Sequence, residues 1–170
     1  SAVIPHPYPL WKQCNASWGD DVIETTTVCK VGCLMSSTAM ALAGHQIGIE
    51  GKEADPHTLN AFLRAHNGYN SDNDMFEDVV PQVNPAHVGW NESHGMHTSN
   101  DLGIGEIRAL LEAGQPVIAN VMQGHHFVLV IGTDAADDDT LYVNDPGFTR
   151  LTYSRSKDVV GWRLFTMSML

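Results

Sequence analysis

Residues 32–44, GCLMSSTAMALAG, set a thiol at the head of a run of small, helix-favouring side chains. Helix is predicted from Cys33 to Ala43, with Gly44 standing where a left-handed C-cap would end it. The apolar positions run nearly all round, so this helix is expected to be buried rather than to lie half in solvent. A helix buried on all sides needs other elements packed around it, and the flanking sequence supplies them.

Downstream, Asp55 as N-cap and Pro56 at the first helical position open a second helix. It carries Leu59, Phe62 and Leu63 on one face and ends at Asn67-Gly68. A polar region rich in Asn, Gly, His and Pro separates it from a third helix over 105–113, where Ile107, Leu110 and Leu111 fall together before Gly114 and Pro116. Beyond Pro116 the pattern changes to short β-branched and aromatic runs at 117–121, 127–131, 141–143, 151–153 and 162–167. Upstream, Pro5, Pro7 and Pro9 rule out a helix or central strand over 1–12 and leave an extended surface arm. Helices first and strands afterwards predict an α+β fold, with a segregated antiparallel sheet and none of the alternation a parallel sheet requires.

A chain of 170 residues suits one domain spanning 1–170 and buries roughly 70% of the surface its unfolded form exposes. No apolar run approaches the ~20 residues of a bilayer span. The formal charge of −11 repels phosphate, which argues against nucleic acid and anionic membranes as partners and for a peptide-like or neutral substrate. The acidic segments 72–78 and 134–139 are read as solvated turns. Calcium is the alternative, since Asn70, Asp72 and Asp74 imitate the start of an EF-hand loop without its glycine or terminal glutamate. The chain opens at Ser1 rather than methionine, in keeping with a processed form or an excised domain, and the sequons Asn15-Ala-Ser17 and Asn91-Glu-Ser93 fit a secretory route. Three cysteines are an odd count. In an oxidising compartment, pairing Cys14 with Cys29 leaves Cys33 free.

A free thiol at a helix start gains nucleophilic character, because the helix N-terminus favours the anion. His126 enters the alternating strand His126, Val128, Val130 and is the candidate base, with His125 as runner-up. Asp145, in the turn Asn144-Asp145-Pro146-Gly147, is placed to accept from the imidazole Nδ1, and Asn144 is the alternative orienter. The oxyanion of such a reaction needs two donors, for which the Cys33 N–H and the side chain of Gln13 are the candidates. His94 and His97 lack a third ligand for zinc, and Ser36, Ser37 and Thr38 are expected to bond back to helix carbonyls or to pack. The tryptophans at 11, 18, 90 and 162 are read as core or rim packing, with a place in a substrate cleft as the other option.

Taken in order, GCLMSSTAMALAG, TLNAFLRAHNGY, GQPVIANV, HFVLVIG and YVNDPG resemble the C39-like branch of the papain-like cysteine peptidases, from about Pro7 to Phe165. The resemblance implies a papain-like fold, with the N-terminal helices, the cysteine helix among them, packed against the C-terminal sheet. It maps the nucleophile to Cys33, seven residues before Met40, and the base to His126 rather than His125. The orienting aspartate maps to Asp145, and the oxyanion glutamine after a proline-containing arm to Gln13. Leu34 stands where members commonly have glycine, and the stretch from Gln13 to Cys33 is long and carries two extra cysteines. The implied activity is cofactor-free hydrolysis of a peptide or amide bond through a thioester. The alternatives are acyl transfer to an amine from the same thioester, and an inactive module that binds peptides or glycans.

Overall fold

The computed structural model describes residues 1–170. Strand β1 (Ala2–Val3) begins the chain, and after the proline-rich arm a one-turn helix α1 (Val28–Val31) passes through Gly32 into α2 (Cys33–Gly44). Next come α3 (Pro56–Ala65), a 3₁₀ stretch over Glu77–Val83, strand β2 (Val88–Gly89), the short α4 (Glu92–Gly95), strand β3 (Met96–His97) and α5 (Ile104–Glu112). The strands β4 (Val117–Val121), β5 (His126–Asp134), β6 (Thr140–Asn144) and β7 (Thr152–Ser154) lead to α6 (Arg155–Asp158), β8 (Gly161–Arg163) and β9 (Thr166–Met167).

The main sheet runs β3-β8-β4-β5-β6-β7 and every pairing in it is antiparallel. Strand β5 outlasts β4, and β1 pairs with its far end, Ala2 opposite Asp134 and Val3 opposite Thr133. The expected continuous strand over 162–167 instead breaks at Leu164-Phe165. Gly161–Arg163 stays in the main sheet, while Thr166–Met167 pairs with β2 in a separate ribbon. The reason lies in Leu164, whose N–H is taken by the carbonyl of Gly95, outside either sheet.

Helix α2 lies on one sheet face with α3 beside it, and α5 covers the other. All eight residues from Met35 to Leu42 are buried, as expected of a helix apolar all round. Each large apolar side chain so removed from water contributes roughly 1.5–3 kcal/mol. Thr38 donates to the carbonyl of Leu34 (2.8 Å), which satisfies a buried hydroxyl inside the helix. Asp55 caps α3 by accepting from the N–H of Thr58 (2.8 Å), and the Thr58 hydroxyl accepts from the N–H of Asp55 (3.0 Å).

Gly44 departs from its expected part. It remains inside α2, and the left-handed residue comes two positions later, at Gln46 (φ 58°). Glycine is needed there because a Cβ would overlap the ring of Tyr8, by which the arm packs on the end of the helix. Both acidic segments form turns. Asn70 Oδ1 accepts from the N–H groups of Asp72 and Asp74, and Asp137 Oδ1 from that of Asp139. Of the four tryptophans none lines the large cleft described below, and Trp162 is fully buried. His97 is engaged through both ring nitrogens, with Asp101 and the carbonyl of His94. No helix is long and apolar enough to cross a membrane.

Candidate active site

Cys33 is the first residue of α2, with Gly32 as a cap that lacks a side chain. The N–H groups of that first turn therefore have no intrahelical partner. Cys14 and Cys29 form a disulfide, so Cys33 is the free thiol, and it is half-buried. Gln13, Cys33 and His126 line one open cleft of about 970 Å³, and both disulfide cysteines line it as well.

Strand β5 delivers His126 at its first position, buried to 5% exposure, while His125 is exposed just outside the strand. The imidazole Nε2 lies 2.7 Å from Asp145 Oδ1. This corrects the expected use of Nδ1: the carboxylate takes the far nitrogen, which leaves Nδ1 for the sulfur. Asn144 is not the orienter, for its amide donates to the arm carbonyls of Tyr8 (3.3 Å) and Pro9 (2.8 Å).

The side chain of Asp145 is wholly buried and fully partnered. Oδ1 also accepts from the N–H groups of Gly147 (2.9 Å) and Phe148 (3.0 Å), and Oδ2 from the Tyr153 hydroxyl (2.5 Å). Burial pushes its carboxyl up, but these donors together with His126 outweigh burial and hold it below the usual carboxylate range. Burial alone would pull the imidazole down. The hydrogen bonds and charges of Asp145 and Cys33 favour its protonated form, and the balance pushes His126 up to about 9.

Gln13 is 6% exposed, and its Nε2 donates to the carbonyl of Cys29 (2.8 Å). The same nitrogen also reaches the carbonyl of Val28 (3.5 Å), and Oε1 is buried without a partner. Its main-chain N–H donates to the carbonyl of Pro146 (2.9 Å). Beside it, the Lys12 ammonium donates to the carbonyls of Asp145 (2.7 Å) and Phe148 (2.6 Å). The arm and the turn after β6 thus hold each other, and with them the glutamine and the aspartate.

Four residues that serve this arrangement escaped the sequence reading: Lys12, Gly147, Phe148 and Tyr153. A Cβ on Gly147 would stand 2.8 Å from His126 Cε1, and the Phe148 ring meets the imidazole edge-on at 5.0 Å between centroids. A signal existed for Tyr153 alone, since a tyrosine in a short buried strand needs a partner for its hydroxyl.

Residues 7–166 match the Peptidase_C39 like family, and the chain belongs to it. Membership suggests cysteine-peptidase-type activity on a protein or peptide substrate. No curated protein and no solved structure matches the chain.

Proposed function

We propose that residues 1–170 act as a single papain-like domain that hydrolyses peptide or amide bonds through Cys33, His126, Asp145 and Gln13. The Cys33 sulfur attacks the carbonyl carbon, and the oxyanion is held by the Cys33 N–H and the side-chain amide of Gln13, whose Nε2 exchanges its long contact with the Val28 carbonyl for the oxyanion. His126 passes the proton on Nδ1 to the departing amine, leaving a thioester on Cys33. Water, deprotonated by the same imidazole, then resolves the thioester to a carboxylic acid and the free thiol. Asp145 fixes the ring through Nε2 and stabilises the imidazolium.

The observation that carries this reading is the convergence of the one free thiol with a carboxylate-bound histidine in a single cleft. The disulfide favours an extracytoplasmic setting, where such bonds persist.

The test is digestion of a peptide library by the wild type and by Cys33→Ala in parallel. Loss of a nucleophile costs several orders of magnitude in turnover, so the variant is expected to be inert. Undiminished cleavage by Cys33→Ala would overturn the assignment. Products joined to an added amine in place of acids would make the protein an acyltransferase, and a wild type that binds peptides yet leaves Cys33 unreactive toward an amide-mimicking electrophile would make it a binding module.

A further inference from the structure

The cleft that holds Cys33 has an unusual lining. Four of the seven methionines stand there, at 35, 75, 96 and 122, with Phe127 among them. Met35 and Met75 are buried, at 2% and 7% exposure, while Met96 and Met122 are half-buried. Methionine side chains are flexible and polarizable, and a surface built of them adapts to large apolar groups of differing shape.

An amide stands beside these methionines. Asn120 belongs to β4, whose other residues are apolar and buried. Its main chain is used by the sheet and by the N–H of Val160, yet its side-chain Oδ1 is buried with no hydrogen-bond partner. A buried acceptor without a partner is costly, so a donor brought by a guest would be favoured there.

The backbone beside it is strained as well. Met122, Gln123 and Gly124 follow one another at φ 51°, 58° and 94°, two of them without glycine's freedom. That turn brings Met122 to the cleft and leads directly to His126.

One charged side chain stands within this lining, the Arg163 guanidinium over the Phe127 ring at 5.2 Å from its centroid. It is neutralised by Glu77 at 2.9 Å, and the other charged residues of the lining, Asp72, Asp74 and Lys30, are exposed. The interior therefore suits a neutral guest.

We infer that Met35, Met75, Met96, Met122 and Phe127 with Asn120 form a subsite for one large, neutral, mostly apolar substrate side chain bearing a hydrogen-bond donor at its far end, tyrosine or tryptophan in preference to phenylalanine. The inference rests on the peptidase reading for the direction of the chain, and its test separates the two. Fluorescent peptides with one position varied among Tyr, Trp, Phe, Leu, Lys and Asp are titrated into the Cys33→Ala protein, and the same peptides are offered to the wild type for cleavage. Tyr and Trp peptides are expected to bind about fivefold more tightly than the Phe peptide, the worth of one ordinary hydrogen bond, with Lys and Asp weakest. Asn120→Leu should bring Tyr down to the level of Phe while Phe binding and the thermal midpoint hold, and Met75→Ala should weaken both. Equal binding of Tyr and Phe, a Tyr preference that survives Asn120→Leu, or no binding of any peptide overturns the subsite. The expected binding pattern without cleavage by the wild type would leave the subsite standing and refute the peptidase; cleavage without the pattern would do the reverse.

Discussion

Adding a single methyl group at Gly147 should disarm the site while leaving the fold nearly intact. The φ of Gly147 lies outside the left-handed region, so the backbone accepts alanine and only space is at issue. The new Cβ would lie 2.8 Å from His126 Cε1, 3.3 Å from its Nε2 and 3.3 Å from Gln13 Oε1. Carbon atoms rest at ~3.5–4.0 Å, so the ring has to retreat by about 1 Å. A displacement of that size costs about 100-fold in rate when it falls on a reacting group. Overpacking costs roughly 1–3 kcal/mol, or several degrees in Tm for a chain of this length. Gly105→Ala is the control: it lies in α5 with nothing within 4 Å of the added methyl, and it should gain roughly 0.5–1 kcal/mol with activity unchanged. The assays are kcat/KM on a peptide selected from the library digestion, thermal denaturation, and the NMR shifts of the His126 ring. If Gly147→Ala keeps kcat/KM within twofold of the wild type and leaves the ring resonances in place, the described packing around the imidazole is wrong.

Three further outcomes are expected. In the proposed mechanism the imidazolium of His126 carries the proton for the leaving amine, and its pKa is raised to about 9. The stability it contributes should be fully present below about pH 6.5 and drain away as pH climbs through about 9, with kcat/KM falling over the same alkaline range; an alkaline limb centred below pH 7 would contradict this. Tyr153→Phe leaves the buried Asp145 Oδ2 without its donor and should cost about 1.5–3 kcal/mol by urea titration. Because the lowered carboxyl of Asp145 stabilises the fold above its unfolded value and loses that contribution as pH falls, acid unfolding of this variant should begin at higher pH than in the wild type. Replacing Cys14 and Cys29 together by serine opens a loop closed over a separation of 15 residues, which should cost about 3 kcal/mol by thermal denaturation, and labelling of the protein with a thiol reagent should still occur, at Cys33.

Local chemistry made much of the architecture legible. Asp55-Pro56 announced α3, Gly114-Pro116 closed α5, and the β-branched runs after Pro116 located the central strands, because caps, breakers and period-two alternation act within a few residues. The same local logic put Cys33 at a helix start and His126 at a strand start. What escaped notice depends on partners in other elements, which for Lys12 lie more than a hundred residues away. Nothing near Lys12 says that its ammonium will meet the carbonyls of Asp145 and Phe148. Nothing in Asp-Pro-Gly says that the glycine clears room for an imidazole, because glycine is common in turns for local reasons. Which nitrogen of His126 faces Asp145 is fixed by the placement of β5 against the turn after β6, and spacing along the chain carries no trace of it. Strand β1 was hidden for a related reason: two residues ahead of Pro5 are too few to show alternation.

The clasp between the arm and the turn after β6 joins residues separated by more than 130 positions, Lys12 with Asp145 and Gln13 with Pro146. On a ribosome the glutamine and the thiol emerge before the histidine, the carboxylate and Tyr153. A chain made only as far as α2 thus holds the thiol without the histidine and carboxylate of the proposed chemistry, which would arise only when the arm meets the turn after β6. Removing residues 1–12 would cut the Lys12 half of that clasp and should loosen Gln13 and the Asp145 turn together.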